Sequence, residues 1–168
     1  MLLFIPHPSS LIPVAMRVRL IWVGKTRDAH LRALSDEYLK RLGRFTRVEI
    51  TELRESAAQS EREGIADEGR RIISALRSDT FAVLLDVEGK QWSSLELAAE
   101  FERWQTGGTK EVAFITGGPY GTSLDVAKRA QLRWSLSRLT LTHEMARVVL
   151  LEQLYRAYTI IQGLPYQK

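Results

Sequence analysis

Apolar and polar positions along this chain alternate between two periods. Residues 18–23, apolar apart from Arg19 and closed by Gly24-Lys25, read as a strand. Residues 28–42 place Leu31, Leu34, Tyr38 and Leu42 on one stripe, which predicts a helix. Residues 48–53 alternate apolar and polar side chains, as a half-buried strand does. Residues 56–76 are highly charged and end in Ile72, Ile73 and Leu76, predicting a helix solvated over its first half. Residues 81–85 are fully apolar, the pattern of a central parallel strand, and residues 86–89 turn the chain. Ser93 and Glu96 have capping-box spacing and open a helix to about Gln105, ended by Thr106-Gly-Gly108.

A second apolar run, residues 112–116, stops at Gly117-Gly-Pro-Tyr-Gly121. A helix is predicted from Ser123 to about Arg133, then a mixed segment, residues 134–141, too short for a further unit. A last helix spans residues 144–161 and is stopped by Gly163-Leu-Pro165. Its apolar residues, among them Met145, Val148, Leu150, Leu151 and Leu154, cover most of its circumference, so it is expected to be buried on two sides, one of them by a second subunit. Strands alternating with helices predict an α/β domain with a mostly parallel sheet flanked by helices.

Residues 1–15 carry no Lys, Arg, Asp or Glu and are broken by three prolines, and Met16 directly precedes the first strand. They are expected to be an extension outside a single domain at residues 16–168. A secretory signal would need a basic start and an unbroken apolar helix. With no cysteine there are no disulfides, zinc–cysteine sites or cysteine nucleophiles. No apolar run approaches the ~20 residues of a membrane span. A net charge of +4 permits a polyanionic partner without requiring one.

The glycine corner is the sharpest chemical signal. A buried strand ending in glycines beside a helix start is where open α/β sheets bind ligands. It is neither of the familiar phosphate-loop patterns. His, Asp and Glu have no metal-ligand spacing. Glu152 and Arg156 lie four apart and can pair, either as a structural ion pair or to hold the arginine ready for a phosphate or base.

Taken together, Leu84-Leu-Asp86 with Gly89-Lys90, Ile115-Thr-Gly-Gly-Pro-Tyr-Gly121, Trp134-Ser-Leu-Ser137 with Leu139-Thr-Leu141 and His143, Leu154-Tyr-Arg-Ala157, and Pro165-Tyr166 resemble the RlmH family of SPOUT-class methyltransferases. The resemblance covers residues 16–168. It implies an α/β knot fold with a deep C-terminal trefoil knot, threaded by residues 134–141. It implies a homodimer acting in the cytoplasm on a pseudouridine of large-subunit ribosomal RNA, within the ribosome, with N3-methylpseudouridine as product. The methyl donor would be S-adenosyl-L-methionine, held by Leu85, Gly117, Gly118, Ser137, Arg138, Leu139, Thr140, Leu141 and Thr142. His143 would serve as the base, Arg156 would hold the target base or its phosphate, and Tyr166 and Lys168 would meet RNA. Gln167 stands where relatives usually have a histidine, and Tyr120 where they often have Glu. The alternative is a non-catalytic RNA-binding module on the same fold.

Overall fold

The structure, a computed structural model, describes residues 16–167. Residues 1–15, the expected extension, and Lys168 lie outside the described residues. Five strands, β1 (Arg17–Val23), β2 (Val48–Leu53), β3 (Phe81–Gln91), β4 (Glu111–Thr116) and β5 (Leu132–Ser135), form one sheet in the order β2-β1-β4-β3-β5, with every pairing parallel. Helices α1 (Ala29–Leu42), α2 (Glu61–Ala75), α3 (Ser94–Thr106), α4 (Leu124–Arg129) and α5 (His143–Ile161) connect and cover it. Pro165–Gln167 add a short 3-10 turn.

The pleat decides which side chain meets which layer. Val18, Leu20 and Trp22 of β1 face the same side as Val112 and Phe114 of β4, and pack under α1, α3 and α5. That side is filled by large rings; Phe101, for instance, lies 5.9 Å from Phe114 and 5.3 Å from Tyr158. Ile21, Val23, Ala113 and Ile115 face the other side, where Ile72 of α2 and Val126 of α4 complete a smaller aliphatic layer. β4 sits in the middle and is buried at all its positions. Because all strands run one way, the turns after β1, β3, β4 and β5 open at the same edge of the sheet. Ligands bind at that carboxyl edge in open α/β sheets.

Three local expectations are corrected. The helix predicted to reach Arg133 stops at Arg129, and Leu132–Ser135 form edge strand β5. Ala82 N–H donates to the Gln131 side chain and Gln131 N–H to the Ala82 carbonyl, which draws the chain out of the helix and into the ladder. The helix expected from residue 56 begins at Glu61, where the Ser60 hydroxyl accepts from Glu63 N–H. β3 does not end at Leu85: Leu85 and Lys90 both face Trp134, so the expected turn at residues 86–89 loops out of a strand that resumes.

α5 also differs in detail. His143 is its first residue rather than its forerunner, with Thr142 as the cap, whose hydroxyl accepts from Met145 N–H at 3.3 Å. Val148, Leu150, Leu151, Leu154 and Ala157 are buried, whereas Met145 is 40% exposed in the single chain.

Candidate active site

Each wall of the site begins with a strand that the core fixes. β4 ends at Thr116, and the chain doubles back on itself: Gly121 N–H donates to the Gly118 carbonyl at 3.0 Å, with Gly121 at φ +89°. A side chain at Gly117 would place its Cβ 2.8 Å from the Gly121 carbonyl oxygen, so this corner closes only around glycine. After β5, the Ser135 hydroxyl donates to the Ser137 carbonyl, and the Ser137 hydroxyl accepts from Leu139 N–H, which shapes the next turn. After Leu85 comes the loop at residues 86–89.

These three turns close on one cavity of about 730 Å3. Of the residues expected to hold the donor, Leu85, Gly117, Gly118, Ser137, Leu139, Thr140, Leu141 and Thr142 all line it, and so does His143. Arg138 does not, and it is exposed. Lining residues that were not assigned to the donor include Asp86, Leu136 and Ala146. Asp86 could have been found, since it directly follows Leu85 at the point where the strand breaks. The walls offer apolar side chains and backbone polar groups, a lining suited to a small organic ligand, and the volume lies within the usual range of ~300–1,000 Å3 for such sites.

The first turn of α5 locks the site to β1. Glu144 accepts from the backbone N–H of Arg27 at 2.9 Å and of Asp28 at 3.0 Å, and these bonds hold its carboxyl below the usual carboxylate range. Arg147, fully buried, donates to the Val23 carbonyl at 2.6 Å and to the Thr26 hydroxyl at 2.9 Å, and its guanidinium lies 4.9 Å from the centre of the Trp22 ring. No carboxylate pairs with it among the described residues, and burial lowers its pKa from the ordinary arginine value.

Arg156 and Tyr166 are not in the cavity. Arg156 lies thirteen residues along α5 from His143, a rise of about 20 Å. There the Arg156 guanidinium donates twice to one Glu152 oxygen and sits 4.7 Å from the centre of the Tyr166 ring. Tyr166 in turn donates to the same Glu152 oxygen at 3.2 Å and meets the Tyr38 hydroxyl at 3.3 Å. The bond from Glu152 raises the pKa of Arg156, and burial, with the Tyr38 contact and the Glu152 charge, raises that of Tyr166. The single chain therefore separates the two residues expected to share the chemistry.

The family model described as "Predicted SPOUT methyltransferase" matches residues 16–167, the whole of the described fold. The chain belongs to the SPOUT methyltransferase family. Curated relatives agree. A protein of Geotalea daltonii named ribosomal RNA large subunit methyltransferase H is 42% identical over 151 residues, covering 90% of this chain and 99% of its own length. Proteins of the same name from Gloeobacter violaceus and Limosilactobacillus reuteri are 42% and 41% identical, covering 90% and 91% of this chain and 98% and 100% of their own lengths. This SPOUT methyltransferase has its cavity at the carboxyl edge of the sheet. Among the described residues no helix is long and apolar enough to cross a membrane.

Proposed function

We propose that this chain methylates N3 of a pseudouridine in large-subunit ribosomal RNA, in the cytoplasm and on the ribosome, with S-adenosylmethionine as donor. One observation carries the reading. Turns from three separate parts of the sequence, the loop within β3 and those after β4 and β5, line one cavity together with His143. Leu85 and Leu141 give the adenine apolar cover, while the backbone at Gly117, Gly118 and residues 139–141 meets the polar edges of the adenosine and methionine parts.

When bound, a sulfonium donor supplies an already activated methyl group. The walls of the cavity hold it in line with the target nitrogen. His143 would accept the N3 proton as the methyl–sulfur bond of the donor gives way to the new N–C bond, with S-adenosylhomocysteine as the neutral leaving group. Arg156 and Tyr166 hold the RNA, through the base or its phosphate. Their distance from His143 supports a homodimer, in which one protomer provides the pocket and the other the arginine. The exposed Met145 beside the pocket fits that arrangement. In this reading residues 134–141 are the threading segment of a trefoil knot. The relatives' names support ribosomal RNA as substrate.

Titration calorimetry with S-adenosylmethionine tests the pocket; absence of binding at millimolar donor favours the non-catalytic RNA-binding module. Mass spectrometry of ribosomal RNA from cells lacking the protein tests the product, with one methyl lost from one pseudouridine as the expected result.

A further inference from the structure

Among the side chains lining the cavity, one carries a carboxylate: Asp86. The backbone goes to some length to put it there. Leu85 and Lys90 both face Trp134, so residues 86–89 leave the β3–β5 ladder and return to it. The return works only through glycine, because a Cβ at Gly89 would lie 2.7 Å from the backbone of Arg133 and Trp134. Apolar burial does not explain the excursion, since Val87 at its tip is 53% exposed. Bulges of this kind re-aim a side chain beside a site.

The carboxylate is oriented from both sides. One oxygen, Oδ2, accepts from Arg133 Nε at 2.9 Å and Nη2 at 2.6 Å. The other, Oδ1, accepts from Glu88 N–H at 2.9 Å. A carboxylate offers about four acceptor positions, so one remains on Oδ1. Arg133 already balances the charge, which leaves a site better matched to a neutral hydroxyl than to a second cation.

We propose that Asp86 is a donor-binding residue that accepts a hydrogen bond from one ribose hydroxyl of the methyl donor. The inference rests on the reading of the cavity as an S-adenosylmethionine site. Leu85, beside it, covers the adenine in that reading, and the ribose is the next group along the nucleoside. An acidic side chain past a strand end serves ribose hydroxyls in the same way in dinucleotide-binding sheets.

Calorimetry with S-adenosylhomocysteine and its 2′-deoxy and 3′-deoxy forms tests this on the full chain. The wild-type protein is expected to bind one of the two deoxy forms about tenfold more weakly than the parent, the scale of a hydrogen bond to a charged acceptor. Asp86→Ala is expected to bind the parent about tenfold more weakly and to show no further loss against that deoxy form. Unchanged affinity of Asp86→Ala for the parent overturns the proposal. So does an equal loss by Asp86→Ala against the parent and both deoxy forms, which assigns the residue to holding the loop through Arg133. Should Asp86→Ala fail to fold, Asp86→Asn takes its place against the same three ligands and the same outcomes. No binding of the parent by the wild-type protein overturns this inference and the donor reading together, whereas wild-type binding with an indifferent Asp86 overturns this inference alone.

Discussion

The two ends of α5 each carry an arginine, and they treat it in opposite ways. Arg147, in the second turn, is sealed from solvent, has no carboxylate partner among the described residues, and spends its hydrogen bonds on the Val23 carbonyl and the Thr26 hydroxyl. Arg156, near the far end, keeps 26% of its side chain exposed and holds both a carboxylate and a tyrosine ring. A buried guanidinium is costly unless its neighbours replace water. Arg147 meets part of that demand with a carbonyl, a hydroxyl and an indole face, while its buried Nε has no partner, and its contacts hold α5 against β1. Arg156 is oriented and reachable, the state expected of a group that waits for something else. Local sequence did not separate them, since both are arginines among apolar neighbours on one helix. Burial and partners do.

The contrast can be broken most forcefully from the pocket end. His143→Ala should leave donor affinity nearly intact while lowering kcat by about 100-fold to 10,000-fold, the range for a lost general base. Steady-state methylation beside calorimetry checks this, and unchanged turnover removes His143 from the chemistry. Arg147→Ala should cost about 3 kcal/mol of stability in denaturant melts, through lost packing on Trp22 and orphaned acceptors. Arg147→Met, which fills the volume without a charge to desolvate, should cost less than half of that. If the two variants are equally damaging, the charge itself matters and the contrast with Arg156 fails.

At the other end, Arg156→Ala should raise the KM for RNA about tenfold, leave donor binding unchanged, and move stability by no more than about 1 kcal/mol. Equal losses for RNA and donor would make the Glu152 pair purely structural. The smallest effect concerns Glu144. Its folded-state pKa is lowered by the Arg27 and Asp28 N–H groups. The stability it contributes is therefore fully present above the unfolded value of about 4.3 and is lost as pH falls through the lower folded value. Glu144→Gln should flatten the acid limb of a plot of Tm against pH; a limb parallel to the wild type would show that the clamp adds nothing.

Most of the architecture was legible because period and core agree. β4 reads as a buried strand and is buried throughout, and the Ser93–Glu96 capping box forms as its spacing predicts. β5 was not legible. Leu-Arg-Trp-Ser has no strong strand pattern, and it becomes a strand only because β3 offers a free edge. The loop at residues 86–89 was half legible: the turn was evident, but its return to the same ladder depends on how close Gly89 comes to β5. In the site, the residues that the resemblance assigns to the donor line one cavity, with the exception of Arg138. The gap between His143 and Arg156 needed no coordinates. Thirteen residues of helix already imply it.

The cavity draws its walls from Leu85 onward and needs the start of α5 to shut, so nothing in the first half of the chain can form it alone. During synthesis, where earlier segments fold first, a newborn molecule completes this cavity only once translation is almost finished. Fragments cut short before residue 146 would keep the strands of the sheet and lack a complete cavity. For a protein proposed to act on ribosomes, this arrangement keeps an unfinished copy idle on the very particle that is making it.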